Sequence, residues 1–151
     1  MPIIIRLATK QDVTAIVRLL ADDILGAQRE RYLEPLPAEY YAAFAAINAD
    51  SNNFLIVSEI DNKIIGTLQL TYITYLTYIG GTRALIEAVR VDNEYRGKGV
   101  GKTMLNWAIS KAKKDGCHLM QLTTDKKRPE ALEFYTKLGF TASHEGLKLF
   151  L

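Results

Sequence analysis

Val91-Asp92-Asn93-Glu94-Tyr95-Arg96-Gly97-Lys98-Gly99-Val100-Gly101-Lys102-Thr103 is the stretch on which the reading of this chain turns. Just before it, Leu85 to Val91 has the apolar, β-branched content of a strand. After it, Val100, Met104, Leu105, Ala108, Ile109 and Ala112 recur at helical spacing and form one apolar stripe. The quoted residues are therefore a charged, glycine-rich turn that leads from a strand into a helix N-terminus. Such a terminus presents backbone N–H groups that the helix cannot use, together with the positive end of its dipole. Glycines let backbone close around a ligand, since no Cβ intervenes. With Arg96, Lys98 and Lys102 alongside, the turn reads as a phosphate cradle. Composition alone allows a solvated glycine-rich turn equally well.

Three phosphate patterns compete for these residues. A P-loop needs glycine, four residues, then Gly-Lys-Ser/Thr. Gly101-Lys102-Thr103 supplies the end, but the first glycine falls on Arg96. The dinucleotide fingerprint needs glycine or alanine three residues after Gly99, where Lys102 stands. The third pattern, Arg/Gln-x-x-Gly-x-Gly/Ala, is met by Arg96-Gly97-Lys98-Gly99-Val100-Gly101.

Outward from this turn the chain alternates strands and helices. Residues 3–7 read as a strand, and Thr9 with Asp12 as a capping box for a helix striped by Val13, Ile16, Val17, Leu20 and Ile24. After Pro35 and Pro37 a second helix carries Tyr40, Phe44 and Ile47 on one face. Strands at 54–60, 64–75 and 85–91 follow, joined by turns at Asp61-Asn62-Lys63 and Gly80-Gly81, and short connections make this meander antiparallel. The helix after the glycine turn ends at Gly116, with Lys113 and Lys114 near its negative end. His118 to Thr124 is a strand parallel to 85–91, because a helix separates them. Pro129 opens a helix that carries Ala131, Tyr135 and Leu138 and stops at Gly139. Phe140 onward, with Leu147-Lys148-Leu149-Phe150, is expected to form closing strands. The order is β-α-α-β-β-β-α-β-α-β-β, one domain over 1–151, of the α+β class with a mixed sheet.

A second signature lies downstream, Ala131-Leu132-Glu133-Phe134-Tyr135-Thr136-Lys137-Leu138-Gly139-Phe140. With the glycine turn, it makes the chain resemble the GNAT N-acetyltransferase superfamily. The resemblance covers the element order throughout and residues 84–140 at motif level. It implies a mostly antiparallel sheet splayed between its fourth and fifth strands and flanked by about four helices. It also implies acetyl-coenzyme A as co-substrate. The pyrophosphate would rest on the backbone of Arg96, Gly97, Lys98, Gly99, Val100 and Gly101, with Lys102 beside them. The pantetheine arm would pair with Val89-Arg90-Val91 as an added strand, and an N–H there would polarise the acetyl carbonyl.

Two residues are candidates for the chemistry that the resemblance implies. Tyr135 would protonate the departing thiolate; the alternative is an aromatic on the core face of its helix. Glu87 interrupts an apolar strand and would accept the amine proton; otherwise it is a solvated carboxylate or a partner of Arg90 or Arg83. Many relatives carry asparagine where this chain has Arg128, which would reach a cofactor phosphate or belong to a solvated basic turn. Cys117 has no base beside it except His118, which argues against a covalent acetyl carrier.

The acceptor site in such proteins would lie near residues 28–41 and 72–78, rich in tyrosine. The C-terminal half is also similar to small-amine members such as aminoalkylphosphonate acetyltransferase, which implies a small primary amine as substrate. A non-catalytic acyl-coenzyme A-binding module and a protein or peptide amine are the alternatives. Composition bounds the rest. Of 151 residues, 48% are apolar, enough for a packed core. Lys+Arg number 19 against Asp+Glu 17, which is not the basic footprint of a nucleic-acid binder. One cysteine excludes an internal disulfide and suits the cytoplasm. The two histidines have no ligand spacing, so no metal is expected, and no apolar run is long enough for a membrane. An exposed sheet edge and the tyrosine-rich strands offer a surface for a homodimer.

Overall fold

A computed structural model describes residues 2–151. Five strands form one sheet in sequence order: β1 (Ile4–Leu7), β2 (Asn53–Ile60), β3 (Lys63–Thr74), β4 (Thr82–Val91) and β5 (Leu119–Gln121). The first four are antiparallel and β5 runs parallel to β4. This is the mixed sheet expected from the spacing of strands and helices. Its helices are α1 (Val13–Ala21), α2 (Ile24–Arg29), α3 (Ala38–Ala49), the single turn α4 (Thr77–Gly80), α5 (Val100–Lys114) and α6 (Pro129–Lys137).

The expected caps form. The Asp12 carboxylate accepts hydrogen bonds from the Thr9 N–H at 2.7 Å and the Thr9 hydroxyl at 3.1 Å, and Arg6 clamps it from the other side. The β2–β3 hairpin turns through Asp61 and Asn62, whose φ of 48° and 64° is the positive pair that matches strand twist. One face of the sheet packs on α5, where Ile56, Leu68, Leu70, Ala84 and Ile86 meet Met104, Leu105, Ala108 and Ala112. The other face meets α1 through Val57, Ile64, Ile16 and Leu19.

Several expectations need correction. The first helix is two helices, because Asp23 breaks it: its carboxylate caps Gly26 N–H at 2.5 Å and starts α2, which leaves Ile24 exposed rather than on the stripe. The turn after β3 is built on left-handed Tyr78 and Ile79, not on glycines alone, and β4 begins at Thr82. Strand 118–124 shrinks to Leu119–Gln121, because its partner β4 leaves it after Leu85. The closing strands at 140–151 do not form, since the chain there gains no partner edge and residues 141–151 stay exposed.

The departure of β4 has a local cause. Along β3, Thr67 faces Arg90 and Gln69 faces Glu87, so Ala88 and Val89 together oppose Leu68. This is a β-bulge, and Ala88 sits in it at φ 55°. Below the bulge, Arg83 to Leu85 pairs with β5; above it, β4 bends away and its far edge is open.

The α5 seam holds the sheet together, so its truncation should be costly. We expect Leu105→Ala to destabilise the protein by about 2–5 kcal/mol, because a fully buried side chain leaves a cavity. Urea denaturation monitored by far-UV circular dichroism reads this as a lower midpoint with an unchanged slope.

Candidate active site

The site begins at the open edge of β4. Asp92 donates its N–H to Ile65 O at 2.8 Å, so Asp92 and Arg90 direct their backbone groups toward β3. Strand alternation then turns the N–H and C=O of Val89 and Val91 the other way, into the gap that β5 no longer fills. Those two carbonyls are met by arginine side chains: Arg90 Nη1 reaches Val89 O at 2.8 Å, and Arg96 Nε reaches Val91 O at 3.2 Å. A ligand with amide groups would find here a ready strand edge, and would exchange with the two guanidinium groups for it.

At the upper end of this edge the chain enters α5. Gly97 at φ 73° and Gly99 at φ 85° adopt left-handed backbone, and a Cβ on either would meet nothing within 4 Å. Their role is conformational: they let the turn reverse into the helix with its first-turn N–H groups facing outward. Gly101 differs. A Cβ there would meet the Phe134 ring at 3.2 Å, so this glycine is set by the close approach of α6 rather than by the turn. Val100 is buried in the core, whereas Arg96, Lys98 and Lys102 are exposed. Lys98 lies over the Tyr95 ring, 5.3 Å from its centroid. Lys102 lines a groove of about 440 Å³ between α5 and α6, with Glu130, Glu133, Phe134, Lys137 and Leu138.

Below the turn, Tyr135 packs against the core and against Phe134 and Phe140, with ring centroids at 5.2 and 5.8 Å. It lies on the core face of its helix, as one of the two readings made from the sequence has it, and it also feels the charges of Arg90 and Arg128. Burial raises its phenol above the usual value; Arg90 and Arg128 pull it back only in part. A phenol so placed keeps its proton through the neutral range.

Arg90 and Arg128 converge on Asp23. Arg128 Nη2 lies 2.7 Å from Asp23 Oδ2, and Arg90 Nε lies 3.6 Å from the same oxygen, beyond hydrogen-bond reach. The Arg90 side chain is 10% exposed, and its buried Nε has no hydrogen-bond partner. Burial lowers the Arg90 pKa, and Arg128 and Arg29 lower it further while Asp23 opposes them. Burial would raise the Asp23 carboxyl, but the Gly26 N–H and the charges of Arg90, Arg128 and Arg29 hold it below the usual carboxylate range. Arg128 is therefore no free basic turn residue, unlike its exposed neighbours Lys126 and Lys127.

Glu87 is exposed and pairs in register with Gln69. It makes no ion pair among the described residues: Arg83 donates to Gln121 Oε1 at 2.5 Å and Arg90 turns to Asp23. Strand alternation puts it on the face opposite Ile86 and α5. The structure thus brings together Val89, Arg90, Val91, Arg128 and Tyr135, and sets the turn 96–102 at the end of the same edge. Asp23 and Ala88 were not singled out from the sequence. Asp23 left a faint signal, a paired Asp22-Asp23 inside a helical stripe. Ala88 left none, since alanine carries no preference for a bulge.

Among the described residues there is no cluster of three metal-ligating side chains, and no helix is long and apolar enough to cross a membrane. Comparison with known proteins bears directly on this geometry. A crystal structure of a transcriptional regulator from Bacillus halodurans C-125 is 53% identical, covers 99% of this chain and 100% of its own, and superposes with a TM-score of 0.97. An uncharacterized N-acetyltransferase of Methanocaldococcus jannaschii is 29% identical over 90% of this chain and 59% of its own. The aminoalkylphosphonate N-acetyltransferase of Salmonella typhimurium is 29% identical over 67% of this chain and 65% of its own. The chain thus spans less than two thirds of the length of these two curated relatives. The family model described as acetyltransferase (GNAT) family matches residues 21–140, which include α2, the bulged strand, the glycine turn and α6. The open β4 edge and the glycine turn are thus features of a chain that belongs to the GNAT acetyltransferase family.

Proposed function

We propose that this protein is an N-acetyltransferase that moves the acetyl group of acetyl-coenzyme A to the primary amine of a small molecule by direct attack. The observation that carries this reading is the opened edge of β4. Val89 and Val91 turn their amides into the gap beyond Leu85, with the glycine-bounded N-terminus of α5 at one end and Tyr135 near Arg90 below. A diphosphate fits the first-turn N–H groups of α5 with Arg96, Lys98 and Lys102 around them. An amide-bearing arm fits the Val89 and Val91 edge.

The amine nitrogen attacks the thioester carbonyl, whose oxygen takes up charge beside the Val89 N–H. Glu87 accepts the amine proton through water, because free alkylamines are protonated below about pH 10. The carbon–sulfur bond then breaks and Tyr135 donates its proton to the thiolate. Arg90 and Arg128 add positive charge near the same phenol, which favours the anionic leaving group. Two arginines over one aspartate also leave cationic charge unmatched beside the reacting edge. This favours an acceptor that carries an anionic group, in keeping with the aminoalkylphosphonate substrate named for the Salmonella relative. The Bacillus halodurans protein is named as a regulator, but the near-balanced charge of this chain gives no support for a nucleic-acid face.

Free-thiol release over a panel of amines, aminophosphonates, amino sugars and peptide N-termini tests the activity. We expect Tyr135→Phe to lower kcat about a hundredfold with cofactor affinity kept, and Glu87→Gln to lower kcat/KM at least about tenfold. An effect under about threefold at every pH would exclude either role. Arg128→Gln should raise KM for an aminophosphonate about tenfold while a neutral amine of the same length changes little.

The Tyr135 phenol gives a pH prediction with a definite sign. Its folded-state pKa lies above the unfolded value of about 10, so its contribution to stability is complete below that pH and is lost as pH rises through the folded value. In a spectroscopic titration, the phenol missing from Tyr135→Phe should be one that ionises later than exposed tyrosines.

A further inference from the structure

Asp23 does more than cap a helix. A side chain at Gly26 would run into Leu20 O at 1.8 Å and Asp23 Oδ1 at 2.9 Å, so glycine lets the α1–α2 turn close and brings its N–H onto Oδ1. That leaves one oxygen, Oδ2, for two guanidinium groups. Arg128 Nη2 lies 2.7 Å from it and Arg90 Nε 3.6 Å. Among the described residues, no other carboxylate pairs with either arginine. Arg29, the third arginine of the cluster, has its own partner in Glu30 Oε2 at 3.1 Å.

Neither contact is a fork. A guanidinium binds an oxyanion best through two parallel N–H···O bonds, and one carboxylate oxygen cannot supply them twice. Arg90 bears the deficit: its side chain is nine-tenths buried and its Nε has no partner. Buried donors seldom stay without an acceptor, and this one points to an oxygen that a ligand brings. Val89 and Val91 pack toward the α5 core, so Arg90 between them turns to the opposite face, where Glu87 stands as well. An acceptor whose amine lies near Glu87 can thus reach the arginine pair with its other end. Both arginines already converge on a single oxygen, so one tetrahedral group can touch the two together.

We propose that Asp23 is a specificity residue for the acceptor: its Oδ2 holds the place of the acceptor's tetrahedral oxyanion between Arg90 and Arg128, and yields that place when the acceptor binds. The inference rests on the acetyl-transfer reading for what the acceptor is, but the exchange of anions is a property of the arginine pair itself. In the free protein Asp23 keeps the pair assembled, because two like charges this close would otherwise repel. The same carboxylate sets a threshold. A neutral acceptor gains nothing by displacing Oδ2, whereas a phosphonate or phosphate ester brings three oxygens where Asp23 offers one, and completes both forks.

Calorimetric titration of methylphosphonate into the intact chain reads this without any turnover. Asp23→Asn removes the charge and keeps a capping oxygen, and Asp23→Ser does the same with a shorter side chain. Each should bind methylphosphonate about tenfold more tightly than the unaltered protein, with saturating coenzyme A present or absent. Asp22→Asn makes the same charge change one residue away, on an exposed side chain that accepts from Asn93 Nδ2 at 2.8 Å. It should stay within about twofold of the unaltered protein. In thiol-release assays both Asp23 variants should raise, by about tenfold, the ratio of kcat/KM for an aminophosphonate to that for a neutral amine of the same length. A Kd for methylphosphonate that is unchanged or weaker in both Asp23 variants overturns the proposal, since an aspartate that only braces the arginines would behave so. An equal gain in Asp22→Asn overturns it too. So does displacement of methylphosphonate by coenzyme A, which would assign the arginine pair to a cofactor phosphate. A calorimetric gain with no thiol released from any amine would leave the role of Asp23 standing and exclude the acetyl-transfer reading instead.

Discussion

The fold depends on one extra residue in β4. Because Ala88 and Val89 together oppose Leu68, the strand cannot stay flush with β5 above Leu85. A regular sheet would satisfy every amide of β4 with protein. The bulge leaves those of Val89 and Val91 directed at a gap, and buried or half-buried amides do not stay without partners. In this structure the guanidinium groups of Arg90 and Arg96 meet the carbonyls, so the edge is held open in a form that a ligand's amides can take over. The cost is left-handed backbone at an alanine, about 1–2 kcal/mol, a strain that surrounding packing must hold in place.

Everything else positions groups around that gap. α5 binds the sheet through Met104, Leu105 and Ala108, so its N-terminus is fixed relative to the β4 edge. Gly101 lets Phe134 close on α5, which fixes α6 and hence Tyr135. Asp23, freed by the break between α1 and α2, draws Arg128 and Arg90 toward the same place. Packing and charge therefore agree: the elements with least freedom are those that bear the candidate chemistry. Residues 141–151 are the opposite case, rich in apolar side chains that stay exposed.

Much of this was legible in the residues themselves. The period change at Phe54, the proline breaks, the capping box and the two glycine signatures set the element order and the turn 96–101. They did so because each rests on local chemistry, a φ only glycine accepts readily or a stripe only a helix makes. Tyr135 and Arg128 were marked by the family resemblance that the two signatures carry, not by such local rules. The rules failed where two local preferences were near equal. Asp23 could continue a helix or cap one, and only the arginines waiting beyond it favour the cap.

What the tertiary structure alone decided is which amides go unpaired. The sequence determined that a strand, a glycine turn and a helix follow one another, since those depend on neighbours along the chain. The bulge at Ala88, the shortening of β5, the meeting of Arg90 with Asp23 and the exposure of residues 141–151 depend on residues distant in sequence. Alanine states no preference for a bulge, and an apolar strand cannot by itself say on which edge it lies. Those outcomes follow from register between strands, which exists only once the sheet is assembled.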